Sequence, residues 1–261
     1  MPVTTESIDV QAYRQRGYVA GLPVLNKAEV ERAQQLFRRL SELVPAGAST
    51  MAIDWWHQLD RELFDLCMHP NILDYVEQIV GPDFYLWGSQ FFAKEPHSGS
   101  TVPWHQDAFY WPLKPHKAVT VWLAVEDSFA ENGAMMVVPG THTRQMSHRG
   151  ASSGDAVLDV ETCDDQFDPS EAVTLAMTAG ECSMHDDNIV HGSRRNDSDR
   201  VRCGLTIRFS AGDSECDTSV WPFFKAYWAR GVDRWGHNPI GEPPKGVMTE
   251  FQSVTPRTGQ R

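Results

Sequence analysis

Trp104-His105-Gln106-Asp107 sets an imidazole and a carboxylate at positions i and i+2. In an extended segment such positions face the same side, so His105 and Asp107 could grip one metal ion. The pattern is weak by itself. With ten His and 35 acidic residues in the chain, about one His-x-acid arises by chance, and His185-Asp186-Asp187 is a second instance. Context separates the two. Downstream of His105 stands Ile189-Val190-His191-Gly192-Ser193, then Asn196, then Arg202, eleven residues past His191. The His185 pair has no such sequel. Two imidazoles and one carboxylate form the facial ligand set of non-haem iron(II) sites, which leaves metal positions open. A 2-oxo acid could fill two of them and O2 a third. The metal would then carry the oxidation, while the protein orients substrate and excludes water.

Arg202 opens an alternating run. Arg202, Gly204, Thr206 and Arg208 share one face, and Cys203, Leu205, Ile207 and Phe209 the other. If the apolar set packs between two sheets, the arginines line a polar cavity. A buried cavity arginine needs an anion, because an unpaired interior charge is costly. A dicarboxylate co-substrate would supply one through a bidentate contact. Arg208 reads either as a substrate contact or as a structural ion pair. His185 lies six residues before His191 and could share its face, as a helper or a core residue. Phe109-Tyr110-Trp111 follows the metal motif directly, in a chain with nine tryptophans. Phe109 and Trp111 read either as plain packing or as an apolar or cation-π wall of the substrate pocket, the latter fitting a cationic substrate.

The elements that must position these residues change character along the chain. Residues 1–82 read as mainly helical. Asn26-Lys27-Ala28-Glu29 is a capping box, followed by Val30, Ala33, Phe37, Leu40 and Leu43 at helical spacing. A second amphipathic run carries Ile72, Leu73, Val76, Ile79 and Val80 and stops at Gly81-Pro82. From Phe84 onward short strands are expected over Phe84–Lys94, Ala118–Glu126, Met135–Val138, Ala172–Met177, Cys182–His185 and Arg202–Ser210, punctuated by Gly, Pro, Asn and Asp. That spacing favours a sandwich or jelly roll. Residues 83–212 are therefore the expected β core and 213–261 a C-terminal extension of a single domain spanning 1–261. Gly150–Glu171 reads as a long loop. With Met51–Leu59, Phe109–His116 and the segment from Trp221 to Trp235, it is expected to set specificity.

His105-Gln106-Asp107, the turn Asn132-Gly133 through Pro139-Gly140-Thr141-His142, and His191-Gly192-Ser193 with Asn196 and Arg202 together resemble the phytanoyl-CoA dioxygenase family of iron(II)/2-oxoglutarate oxygenases. The resemblance extends from the first helical stretch to about Ser210. It implies a mainly β fold with flanking helices, a double-stranded β-helix (jelly roll, cupin-like) barrel. It implies that His105, Asp107 and His191 ligate Fe(2+), and that Arg202 holds the distal carboxylate of 2-oxoglutarate. Ser193, Trp122 and Gln90 match positions that commonly help bind that co-substrate. The implied activity is an O2-dependent dioxygenase that hydroxylates a C–H bond of a small molecule and releases succinate and CO2. Related halogenases carry a small residue where Asp107 stands, so hydroxylation is favoured. Desaturation, cyclisation and epimerisation also occur in the family. No added basic surface suits the phosphates of coenzyme A, so the resemblance is to the family rather than to the acyl-CoA activity of its namesake.

Composition bounds the alternatives. The 261 residues carry a formal net charge of −12, which disfavours nucleic acid and anionic membrane as partners. The expected partner is a small-molecule substrate. No run of 18 apolar residues suggests a membrane span, and the first residues, Met1-Pro2-Val3-Thr4-Thr5-Glu6, do not read as a secretory signal. Five cysteines without a Cys-x-x-Cys argue against a disulfide framework and a thiolate zinc site, and for a cytoplasmic setting. A cupin-like hydrolase or isomerase using zinc or manganese is the competing enzyme reading, and it would not need Arg202. A binding protein that kept the barrel without turnover is the third.

Overall fold

A computed structural model describes residues 3, 5 and 7–254. The tail 255–261 and most of the N-terminal residues read above for a leader lie outside the described residues. Two antiparallel sheets carry the fold. The larger has six strands in the order Tyr18–Pro23, Glu181–Asp186, Ala118–Ala124, Arg202–Ala211, Phe84–Lys94, Tyr227–Arg230. The smaller has four, in the order Val102–His105, His191–Ser193, Met135–Val137, Val173–Thr174. Residues of both line one cavity, so the sheets face each other across it. This is the expected mainly β jelly roll with flanking helices. No ladder joins the two sheets among the described residues. No helix there is long and apolar enough to cross a membrane.

The helices form as the sequence requires. Asn26 Oδ1 accepts from the Glu29 amide at 3.2 Å and Glu29 Oε2 from the Asn26 amide at 2.8 Å. This reciprocal cap starts the helix Lys27–Leu43, which buries Ala33, Leu36 and Leu40. Pro70, preorganised for a first helical turn, starts Pro70–Val80, which buries Ile72, Leu73, Tyr75 and Val76. Both helices cover the outer face of the larger sheet. Their apolar stripes meet Val119, Val121, Leu123, Cys203, Leu205, Ile207 and Phe209 in one core. Each such aliphatic or aromatic side chain contributes about 1.5–3 kcal/mol by leaving water.

That packing corrects one premise. The apolar face of Arg202–Ala211 does not lie between the sheets; it packs outward under the helices. Arg202, Thr206 and Arg208 therefore point inward, into the cavity. The same alternation turns Thr120 and Trp122 inward along Ala118–Ala124.

Other expectations change as well. The N-terminal part is not helical throughout. Tyr18–Pro23 pairs with Glu181–Asp186 as an edge strand, with an irregularity between Val19 and Leu22. Its middle residues are exposed, so it lacks the clean alternation that marks a half-buried strand. Strands of the larger sheet also extend past residue 212, since Tyr227–Arg230 adds to the edge of Phe84–Lys94. Ala172–Met177 shortens to Val173–Thr174, an outer strand paired with Met136 and Val137. The 150–171 segment is not wholly irregular: His148–Gly150 and Val160–Thr162 form a hairpin at its start.

Candidate metal centre

The smaller sheet brings the two histidines together. His105 ends its strand, His191 begins its own, and the two are direct partners in the antiparallel ladder. Their rings lie 4.1 Å apart, centroid to centroid. Gln106 remains extended (φ −113, ψ 127), and Asp107 then opens a 3-10 turn. Asp107 Oδ1 comes within 3.5 Å of His105 Nε2 and 4.0 Å of His191 Nε2. One ligand atom from each of the three side chains falls within 4.8 Å of the others, and all three residues are buried. This is the one such group of His, Cys, Asp or Glu among the described residues.

The donors fit a divalent metal in their protonation as well as their position. His105 Nδ1 bonds the Pro103 carbonyl at 2.9 Å, and His191 Nδ1 the Ile189 carbonyl at 3.1 Å. A carbonyl only accepts, so each Nδ1 carries the proton and each Nε2 keeps its lone pair for an ion. Burial holds the His191 imidazole well below its usual range, helped by the neighbouring His105 and opposed by Asp107. Burial alone would raise the Asp107 carboxyl. The His105 and His185 imidazoles close to its oxygens, with the fields of His191 and Arg208, overcome this and hold it well below the usual range. Neutral imidazoles and an ionised carboxylate are the forms that bind metal. Thr120 donates to Asp107 Oδ2 at 3.2 Å.

His185 and Thr120 are the residues that the motif did not single out. His185 lines the same cavity, with Nε2 3.8 Å from Asp107 Oδ2 and its ring 4.7 Å from that of His191. Neither of its ring nitrogens has a hydrogen-bond partner. The inward alternation of Ala118–Ala124 is the signal that could have found Thr120. The flanking motifs hold the ligands in place. Thr141 Oγ1 accepts from the Val190 amide at 2.9 Å, fixing the approach to His191. Asn196 is fully buried and donates to the carbonyls of Lys94, Glu95 and Arg200, so its role is to pin the loop before Arg202.

The cavity between the sheets opens to solvent and takes its walls from both of them. Arg202, Ser193 and Trp122 line it together with the three metal donors. Arg202 is 2% exposed. It donates from Nε to Gly133 O (3.1 Å), from Nη1 to Phe92 O (3.1 Å) and from Nη2 to Ser193 Oγ (3.2 Å). A guanidinium has five N–H groups, so one on each terminal nitrogen is left for a ligand. No carboxylate pairs with it among the described residues. Burial lowers its pKa to about 10, so it remains a cation at neutral pH. Beside it Lys94 is buried too, with Nζ on the carbonyls of Ser193 and Arg194. Burial and the Arg202 charge push that amine down to about 7. The Asn132-Gly133 turn now has a purpose: Gly133 takes φ +78 and presents its carbonyl to Arg202.

Trp122 lies under the Arg202 guanidinium, 5.6 Å from ring to carbon. Only a glycine at 204 permits this, because a Cβ there would stand 2.0 Å from Trp122 Cζ2. Gly204→Ala is expected to destabilise the protein by about 1–3 kcal/mol through overpacking, read as a lowered Tm; an unchanged Tm would mean that Trp122 is free to move.

The remaining candidates stand apart. Gln90 does not join the cavity lining, and its amide donates to the Met51 carbonyl at 3.0 Å. Phe109 is 46% exposed and stacks on His148. Trp111 is buried edge-to-face on Trp87, with the Arg208 guanidinium 5.5 Å above its ring. Nearby, Asp54 Oδ1 is buried without a partner. Burial raises its carboxyl to about 7 although the Arg208 charge pulls the other way. A carboxyl raised in the folded state lends stability below its unfolded pKa of ~4 and loses it as pH climbs to about 7. Asp54→Asn is therefore expected to flatten that part of the pH–stability curve and gain on the order of 4 kcal/mol at pH 8, with no gain at pH 4, by chemical denaturation.

The family model described as phytanoyl-CoA dioxygenase matches residues 13–204. The chain belongs to the phytanoyl-CoA dioxygenase family. This family member is 28% identical over 231 residues to the peroxisomal phytanoyl-CoA dioxygenase of Bos taurus, covering 78% of this chain and 67% of the relative. It is 25% identical over 248 residues to the ectoine dioxygenase of Streptomyces avermitilis, covering 85% and 82%. Among solved structures, the apo form of the non-heme monooxygenase ThoJ superposes with a TM-score of 0.77 at 29% identity, over 91% of this chain and 89% of ThoJ. The phytanoyl-CoA dioxygenase match spans both metal-ligand strands and Arg202.

Proposed function

We propose that this chain is an iron(II)- and 2-oxoglutarate-dependent dioxygenase that hydroxylates an unactivated C–H bond of a small molecule, releasing succinate and CO2. The observation that carries this reading is one cavity holding both the convergent His105, Asp107 and His191 donors and a buried arginine with two free N–H groups. In it, His105, Asp107 and His191 hold Fe(2+), and Arg202 receives the distal carboxylate of 2-oxoglutarate through those N–H groups. Bound iron supplies the activation of O2 and the oxidising power for the C–H bond. The protein does the rest. Thr120 keeps Asp107 oriented, Ser193 and Trp122 brace the Arg202 guanidinium, and Val102, Met135 and Phe92 give the cavity apolar walls that exclude water. Gln90 ties its strand to Met51 through its side-chain amide.

A zinc or manganese hydrolase of this fold would have no use for a buried, acid-free arginine beside the metal. The net charge of −12 supports a small molecule over nucleic acid or a membrane as partner. Five unpaired cysteines support a reducing compartment such as the cytoplasm. Strands of the larger sheet drawn from both ends of the chain support one oxygenase domain across 1–261. The test is succinate formation after anaerobic reconstitution. Product is expected only when iron(II), 2-oxoglutarate and O2 are all present. Turnover with zinc or manganese in the absence of O2 and 2-oxoglutarate would refute it.

A further inference from the structure

The inward face of Arg202–Ala211 carries a second cation, Arg208, and no acid among the described residues pairs with it. Arg208 lines the cavity and is 8% exposed. Its Nε is buried without a partner. No hydrogen bond or ion pair to any described residue engages the rest of the guanidinium. Asp54 and Asp107 feel its field, but neither makes an ion pair with it. Among the described residues, the structural ion pair that the sequence left open does not form. Leaving a guanidinium buried and unpaired costs several kcal/mol, which a ligand anion would recover.

The surroundings are built for such an anion. The guanidinium lies 5.5 Å over Trp111 and 6.0 Å over Trp87. The tryptophan wall that suggested a cationic substrate is thus occupied by the protein's own cation, which inverts the charge expected of the ligand. Gly88, directly opposite in the ladder, makes room: a Cβ there would meet Arg208 Cδ at 3.2 Å. Three segments read as specificity loops converge on this point, since Trp55, Trp111 and Trp221 all contact Trp87. Arg208 also serves a different ligand from Arg202. Six residues of strand separate their Cα atoms by about 20 Å, and it is the Arg208 charge that reaches Asp107.

We propose that Arg208 is the substrate anchor, binding a carboxylate of the molecule to be oxidised while Trp87 and Trp111 stack behind its guanidinium. The substrate class is then a small carboxylic acid. This rests on the function proposed above, so the test must separate the two. Zinc-substituted protein labelled with 15Nε-arginine is saturated with 2-oxoglutarate, then titrated with propionate or with propionamide. The Arg202 and Arg208 signals are assigned by their loss in Arg202→Lys and Arg208→Lys. Failure of 2-oxoglutarate to move the Arg202 signal would count against the proposed function. Propionate, but not the neutral amide, is expected to move the Arg208 signal. Arg208→Gln is expected to weaken propionate binding about tenfold or more, while 2-oxoglutarate affinity holds within about threefold. Gly88→Ala keeps every charge and displaces only Arg208, so it should also weaken propionate binding. An Arg208 signal that ignores propionate, or answers both probes alike, overturns the proposal; so does propionate affinity unchanged in both variants.

Discussion

Asp107→Ala is expected to strip the protein of iron and of turnover together. Asp107 is the one carboxylate in the cavity lining, and it faces His105, His191 and His185. Without it a ferrous ion would meet imidazoles and no negative charge. Loss of a hydrogen-bond partner behind a ligand already costs 10–100-fold in metal affinity, so loss of the ligand itself should exceed about 100-fold. Thr120→Val, which removes only the 3.2 Å bond to Asp107 Oδ2, should fall in the lower range. Iron content after anaerobic loading and dialysis, beside succinate yield, orders the three proteins. An alanine variant that keeps stoichiometric iron and turns over would place the metal elsewhere.

Arg202→Leu should uncouple co-substrate binding from folding. Two opposing effects meet at this residue. The substitution leaves Gly133 O, Phe92 O and Ser193 Oγ without their donor, at about 1 kcal/mol for each lost bond. It also removes a buried cation with no acid beside it, which relieves a penalty of similar size. The unliganded Tm should therefore move little. The response to 2-oxoglutarate should not survive. Saturating ligand at about 100 times its Kd stabilises the native state by ~2.7 kcal/mol, roughly a 5–10 °C rise in Tm for a chain of this size. The leucine variant should show none of that rise, and its KM for 2-oxoglutarate should climb about 100-fold or more. Arg202→Lys should recover little, because a point charge cannot reproduce the fork. A normal ligand-induced shift in Arg202→Leu would remove Arg202 from the co-substrate site.

Much of the fold was legible because its signals are local. The Asn26–Glu29 cap, the proline at the start of Pro70–Val80 and the strand Phe84–Lys94 stand where the sequence placed them. Local signals failed where a strand exists only through its partner. Tyr18–Pro23 and Tyr227–Arg230 are short, irregular edges recruited by Glu181–Asp186 and Phe84–Lys94, and edge strands owe more to tertiary context than to propensity. Val102–His105 and His191–Ser193 carry the candidate metal ligands His105 and His191, yet Pro103 and Gly192 disguise them as loops.

The sequence by itself determined the donors and their chemistry: two imidazoles, a carboxylate, and an arginine whose alternating neighbours give it a face. Those follow from residue type and a period of two, which need no knowledge of the rest of the chain. Only the tertiary structure decided which way each face points and what meets it. The apolar set of Arg202–Ala211 went outward to the helices rather than between the sheets, because the apolar stripes of those helices had to be covered. The ladder register set His105 against His191. It also left Arg208 over Trp87 and Trp111 without an acid, since pairing or orphaning a buried charge depends on residues distant in sequence that only packing brings together.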